Sequence, residues 1–226
     1  MKQIDDRARL EKYIESSGIQ AQFSVDLADM ARLLQFSAGE FLIRRGDPSR
    51  YLYFLVEGKV KLIETGASGK RILYGYMRSS GALGEVASLW GRKPRLSVQA
   101  VEVCLCLAID LELHREALFS DNRFLRYLCK LLAERVTQLD NNIASLMSCP
   151  IESRLAAFIL ENSEGCEFRI SLTECAEFTS TSYRHLIRVM NALCDRGILR
   201  RSRQQFEILD REQLTALAES AYACCL

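Results

Sequence analysis

The stretch from Leu113 to Met147 contains neither glycine nor proline, and its apolar residues Leu125, Leu128, Leu132, Val136, Leu139, Ile143 and Leu146 step by three or four. That spacing is close to a 3.5-residue repeat and predicts one long amphipathic helix. A rod of roughly 30 residues reaches beyond the face of a small β domain. The stripe therefore predicts a helix-to-helix dimer seam built from Leu125, Leu128, Leu132, Leu139, Ile143 and Leu146. The competing use of the same stripe is packing on the neighbouring domain. Ser148-Cys149-Pro150 interrupts the helix, because proline disfavours helical geometry in the residue before it.

On the amino-terminal side, residues from about Asp5 to Met30 read as short amphipathic helices with Ser-Gly breaks. From Phe36 the pattern changes to short apolar runs separated by Gly46-Asp47-Pro48, by Glu57-Gly58 and by the glycine-flanked turn 66–69. Strands Ser97–Ala100 and Val103–Ile109 continue it beyond the loop at Gly91. Turn residues at this spacing predict a mostly antiparallel sandwich or roll. After Pro150 a helix runs to about Glu164-Gly165, a short extended piece covers Phe168 to Ser171, and a helix, a turn and a helix follow. Residues 200–209 then read as a small strand pair.

The 9 cysteines are odd in number, form no CxxC and scatter through apolar stretches, which predicts reduced core thiols and no disulfide framework. Cys104, Cys106, Cys129 and Cys149 keep a redox-sensing role open beside that structural one. With only 2 histidines in the chain, a metal enzyme is hard to assemble, so neither a metal site nor a catalytic residue is expected. No apolar run is long enough to cross a bilayer and the amino terminus alternates charge, so a cytoplasmic protein without a membrane partner is expected. The formal net charge is only +1, but between Ser182 and Arg203 six arginines face a single acid, Asp195. Such concentration of cations is the electrostatic footprint of nucleic-acid binding.

The arginines fall on a motif. A helix-turn-helix needs a small residue where its helices cross, a small or flexible turn residue four positions later, and apolar glue. Ala176, Ser180 and Leu186, with Cys175, Phe178 and Val189, meet those demands. Serine at the turn is less usual than glycine. Thr181 or Ser182 can cap the second helix. On that helix Leu186, Val189, Met190 and Leu193 face inward, which sends Arg184, Arg188, Asn191 and Asp195 outward. Arg184 and Arg188 are the expected base contacts, since a guanidinium fork matches guanine O6 and N7. Thr181, Ser182 and Tyr183 are expected on phosphates, and Arg200, Arg201 and Arg203 at the wing add sequence-blind attraction to the backbone.

Three blocks resemble the CRP/FNR family of bacterial transcription regulators: YLYFLVEGKVKL its β-roll hairpin, GEVASLWGRKPRLSVQA its phosphate-binding cassette, and ISLTECAEFTSTSYRHLIRVMNALCDRGIL its DNA-binding helices. The resemblance runs from about Gln35 to Leu209, and the Ser-Tyr-Arg-His start of the recognition helix looks closest to the YeiL-like branch. It implies an α+β fold in three parts. These are a cyclic-nucleotide-binding-type β-roll (a double-stranded β-helix) with amino-terminal helices over 1–112, a long dimerisation helix over 113–148 and a winged helix-turn-helix over 149–226. It also implies a homodimer on double-stranded DNA, an effector pocket holding Gly84, Glu85 and Arg95, and RNA polymerase as partner if the protein activates.

The chain departs from the family at informative places. Members that bind cyclic nucleotides follow the cassette arginine with a serine; here Leu96 follows Arg95 and removes a phosphate donor. Alternatively Glu85 and Arg95 pair with each other and support the loop. Leu139 and Asp140 take the place of the hydroxyl residues that meet adenine. The iron–sulfur cluster of the oxygen-sensing branch needs cysteines near the amino terminus, whereas the first here is Cys104. No cofactor is assigned. The best-known recognition helices begin Arg-Glu and then Arg; only Arg188 matches, so a different operator is expected, arranged as an inverted repeat. Two other function classes compete. A cyclic-nucleotide-binding module that controls another protein without touching DNA leaves the arginines unexplained, and a cupin-like enzyme lacks metal-ligand histidines.

Overall fold

The computed structural model describes residues 1–66, 69, 71–78, 81–202 and 205–223, and divides into two compact units, 1–133 and 134–226. The first unit opens with strand β1 (Lys2–Ile4) and helix α1 (Arg7–Ser17), which Asp6 caps by accepting from the Arg9 amide and which Gly18 ends in a left-handed conformation. Two 3₁₀ turns lead to β2 (Ala31–Phe36), β3 (Phe41–Ile43), β4 (Tyr51–Glu57), β5 (Lys59–Thr65), β6 (Arg71–Arg78), β7 (Ala82–Leu83), β8 (Ser97–Ala100) and β9 (Cys104–Asp110). They form two antiparallel sheets, in the orders β1-β2-β9-β4-β7 and β3-β8-β5-β6.

Side-chain alternation assigns each face of the first sheet. On β9, Cys104, Cys106 and Ala108 turn into the interior of the roll with Leu34, Phe36, Tyr53 and Leu55, while Leu105, Leu107 and Ile109 turn toward the helices with Leu33, Leu52 and Phe54. β9 is thus buried on both faces, which explains its unbroken apolar run. Phe23 ties the helical layer to the sheet, stacking on Phe124 at 5.3 Å and meeting Phe54 edge-on at 5.8 Å. The β4–β5 hairpin requires its glycine: at Gly58 (φ 95°) a Cβ would lie 2.6 Å from the Val103 carbonyl oxygen and 2.9 Å from Cys104 Cα.

The rod expected from Leu113 divides in two. Helix α2 (Leu111–Ser120) ends at Asp121, and α3 (Asn122–Ser148) starts afresh. Asp121 is a buried cap whose carboxylate accepts from the amides of Arg123 (2.9 Å) and Phe124 (3.3 Å), and also from the Ser24 amide (2.7 Å) and hydroxyl (2.9 Å). Burial alone would raise its pKa; the Ser24 amide and hydroxyl and the two helix amides together hold it below the usual carboxylate range. An acid that serves as a cap does not interrupt an apolar pattern, and so the break is silent in periodicity.

In the second unit, α4 (Ile151–Asn162) follows Pro150, and β10 (Glu167–Phe168) joins β12 (Gln205–Ile208) and β11 (Leu199–Ser202) in a three-stranded sheet ordered β10-β12-β11. Between them lie α5 (Leu172–Phe178) and α6 (Tyr183–Asp195), and α7 (Arg211–Ala223) closes the chain against α4. The extended piece is shorter than expected because Ser171 is already the cap of α5, accepting from the Glu174 amide at 3.2 Å. Phe158 anchors this core, stacked on Phe178 at 4.1 Å and edge-on to Phe168 at 6.1 Å.

Candidate nucleic-acid interface and effector cassette

Helix α6 is divided lengthwise. Leu186, Met190 and Leu193 are fully buried, while Tyr183, Arg184, Arg188 and Asn191 are exposed. Its N-cap is Ser182, whose hydroxyl accepts from the His185 amide at 3.2 Å; Thr181 is half-buried in the turn and its amide donates to the Ala176 carbonyl at 3.1 Å. Ser180, between them and α5, has φ 52°, the one non-glycine residue with positive φ among the described residues. The turn thus takes the left-handed geometry of a helix-turn-helix although the residue is serine. Neither Arg184 nor Arg188 makes an ion pair among the described residues, so both guanidinium forks are available to a ligand. A shallow hollow of about 260 Å³ lies along one side of Arg188, lined also by Glu152, His185, Val189 and Ala192.

The wing arginines are not equivalent. Arg200 is held by its cross-strand neighbour Glu207, with Nε at 3.1 Å and Nη2 at 2.6 Å from one carboxylate oxygen. Arg201 is exposed and makes no ion pair among the described residues. Arg203 lies outside the described residues. Arg196, beyond the end of α6, pairs with Glu152.

In the cassette Gly84 has φ 94°, and a Cβ there would meet Ser88 Oγ at 2.8 Å and the Tyr51 carbonyl oxygen at 3.0 Å. This lets the chain fold back so that the Leu89 amide reaches the Gly84 carbonyl at 3.0 Å. Glu85 is 1% exposed. Arg95, by contrast, is exposed, makes no ion pair among the described residues, and carries its charge near the Tyr74 phenol, which donates to Glu64 at 2.8 Å. A supporting Glu85–Arg95 ion pair is therefore not the arrangement found. Leu96 is half-buried and offers no hydroxyl.

On α3 the open stripe differs from the expected one at one place. Leu128 is 4% exposed and sits in the core with Phe124, four residues earlier on the same face, so it belongs to the first unit's own packing. The remaining stripe consists of Leu125 and Leu132, which are half-buried and packed in part against the first unit's core, and of Cys129, Val136, Leu139, Ile143 and Leu146, which are exposed. Its steps of four and three put Leu125, Leu132, Leu139 and Leu146 at d and Cys129, Val136 and Ile143 at a. Of the remaining thiols, Cys104, Cys106, Cys149 and Cys175 are buried. Burial pushes Cys104 and Cys106 upward and Cys175 up to about 12, which keeps them protonated.

Besides the break at Asp121 and the strands β1 and β2, periodicity missed features of the carboxy-terminal unit. Helix α7 has a weak apolar pattern, since only Leu214 and Ala218 are buried along its described face. The Arg200–Glu207 pair depends on strand register. A hydrogen bond from Arg154 to the turn before α6 joins residues 25 apart in sequence. No helix among the described residues is long and apolar enough to cross a membrane, and no cluster of three His, Cys, Asp or Glu among them could hold a metal ion.

Known proteins align with this geometry. The cyclic nucleotide-binding domain family matches residues 33–121 and the Crp-like helix-turn-helix domain family matches residues 153–217. Regulatory protein YeiL of Escherichia coli O157:H7 is 32% identical over 196 residues, covering 87% of this chain and 90% of its own. A CRP-like cAMP-activated global transcriptional regulator of Mycobacterium tuberculosis is 25% identical, covering 96% of this chain and 100% of its own. The crystal structure of a CRP-family transcriptional regulator from Thermus thermophilus superposes with a TM-score of 0.70 at 21% identity, over 83% of this chain and 97% of that one.

Proposed function

The chain belongs to the CRP/FNR family and is a DNA-binding transcription regulator with a cyclic nucleotide-binding domain, and from that premise we propose that it reads an inverted-repeat operator as a cytoplasmic, non-enzymatic homodimer. The working parts are the β-roll with its amino-terminal helices (1–112), a dimerisation segment (113–148) whose rod is α3 alone, and the winged helix-turn-helix (149–226). The observation that carries the reading is the two-faced α6: buried Leu186, Met190 and Leu193 fix it, and Arg184 and Arg188 stand exposed with no ion pair among the described residues. Ser182 and Tyr183 sit at its amino-terminal end beside Thr181, where phosphate oxygens are met. Arg201 and Arg203 supply the wing's attraction to the backbone, while Arg200 is already engaged by Glu207. RNA polymerase is the partner when the protein activates.

Two copies of α3 are proposed to pair in parallel. Val136 and Ile143 at a with leucine at every d favour two strands, and the seam is Leu125, Cys129, Leu132, Val136, Leu139, Ile143 and Leu146. A signal received in the roll alters how the rods pair, and with it the spacing of the two recognition helices.

The cyclic-nucleotide fit is poor. A cyclic phosphate needs a convergent cation and hydroxyl donor; Arg95 is turned outward beside Tyr74, and Leu96 has no donor. Glu85 and Gly84 remain as the hydroxyl-accepting end of the cassette, so an effector other than the usual cyclic nucleotide, or a redox signal, is proposed to control the protein. Mobility shift on the protein's own upstream DNA tests the leading reading. Arg184→Ala and Arg188→Ala should each weaken binding by about 1–3 kcal/mol; unchanged binding by both would favour a regulatory module that does not touch DNA.

A further inference from the structure

The carbonyl that immediately precedes the left-handed turn belongs to Thr179, the C-cap of α5. Thr179 is 1% exposed, its amide and hydroxyl both donate back to the Cys175 carbonyl (3.0 and 2.7 Å), and water cannot serve its own carbonyl freely. The next residues form a Schellman-type end: Ser180 takes φ 52° and the Thr181 amide closes onto Ala176. Serine there works against the turn, because a left-handed conformation crowds its Cβ.

One side chain from outside the motif meets this point. Arg154, on the first turn of α4, donates from Nη1 to the Thr179 carbonyl oxygen at 2.8 Å. It is the only hydrogen bond its guanidinium makes among the described residues, and Nε is buried with no partner there. A half-buried cation with a single partner is poorly accounted for as a solubilising charge. It satisfies an orphan carbonyl at a helix C-terminus, where positive charge is favourable. Its own amide donates to the Pro150 carbonyl at 3.2 Å, so the residue that grips the turn is rooted at the proline that ends the long rod.

We propose that Arg154 is a positioning residue for DNA reading: by holding the Thr179 carbonyl it keeps Ser180 left-handed and thereby aims α6. Arg154 itself touches no DNA. The inference rests on α6 being the helix that reads DNA, and it names a determinant of specificity outside the contact surface.

The test uses the full chain and a duplex enriched from a random library by the wild-type protein, beside an unrelated duplex, over a salt series. Arg154→Met should lower affinity for the enriched duplex about tenfold, the equivalent of one lost bidentate base contact, and change affinity for the unrelated duplex less than about twofold. The slope of log affinity against log salt should stay the same. With Ser180→Gly the left-handed turn is no longer costly, so Arg154→Met in that background should lose less than about threefold. Arg154→Lys keeps a donor and the charge and should stay within about threefold of wild type; this arm stands whether or not the methionine variant folds. A fall in salt slope by about one unit would make Arg154 a phosphate contact and overturn the proposal. So would a tenfold loss in the lysine variant, an undiminished loss in the Ser180→Gly background, or a folded Arg154→Met that binds as wild type. Normal binding by Arg184→Ala and Arg188→Ala would instead remove the premise that α6 reads DNA.

Discussion

Replacing Ser180 by glycine should make the carboxy-terminal unit more stable. Ser180 sits at φ 52° and is exposed, and no hydrogen bond from its side chain is found among the described residues, so the substitution removes no contact. An L-residue in the left-handed region costs roughly 1–2 kcal/mol from the approach of Cβ to the carbonyl oxygen. Glycine relieves this, but it also gives the unfolded chain more freedom, which returns about 0.4–1 kcal/mol. The net gain is about 0.5–1 kcal/mol, or a rise in Tm of about 3–6 °C for a unit of this size. Scanning calorimetry of the full chain reads it as an upward shift of the carboxy-terminal unit's transition. Ser180→Val is the opposing control: a β-branched side chain is least tolerant of positive φ and should lower the same transition. A glycine variant that melts at or below the wild-type temperature, or a valine variant that melts above it, would mean that the left-handed turn does not strain Ser180.

Acid should weaken the amino-terminal unit. Arg50 holds the Asp110 carboxyl below its ordinary 3.8, and the Ser24 and helix-amide hydrogen bonds do the same for Asp121. A depressed folded pKa adds stability above the unfolded value and loses it as pH falls through the folded one, so denaturant titrations should be flat above about pH 5 and decline below it. Asp110→Asn should shallow that decline; an unchanged pH profile would contradict it. At the wing, Arg201→Ala should reduce the salt slope of DNA binding by about 0.9, and Arg200→Ala by clearly less because Glu207 already occupies its fork; the reverse order would show the pair opens on DNA. In a variant whose only cysteine is Cys129, mild oxidation should give a covalent dimer, since an a position meets its own copy in a parallel pair. A chain that stays monomeric on denaturing gels would argue against that seam.

The strands of the roll were legible because turn residues such as Gly46-Asp47-Pro48 and Gly58 bound each apolar run and the backbone geometry needs them. The helix-turn-helix was legible because Ala176, Leu186 and Met190 keep the steric pattern of two crossing helices, and Ser182 fulfils the capping role its hydroxyl suggested. What stayed hidden depends on pairs distant in sequence or on a choice between adjacent stripes. Leu125 and Leu128 fit one repeat equally well, and only the packing on the sheet shows that Leu128 is buried beside Phe124 while Leu125 stays half-buried against the same core. Asp121 breaks the helix by capping, without a glycine or proline to mark it. In the cassette, Arg95 aligned with the family, but its outward placement beside Tyr74 depends on the fold of strands β5, β6 and β8 around it.

Selection of bound duplexes from a random library, followed by sequencing, measures whether a dimer reads DNA through α6. An inverted repeat is expected, with half-site centres about one helical turn apart, roughly 10 base pairs. The enriched half-site should lose its preference at one position in Arg188→Ala, with the spacing preserved. Enrichment of single, unpaired half-sites, or of no sequence at all, would contradict a dimer that reads DNA through α6.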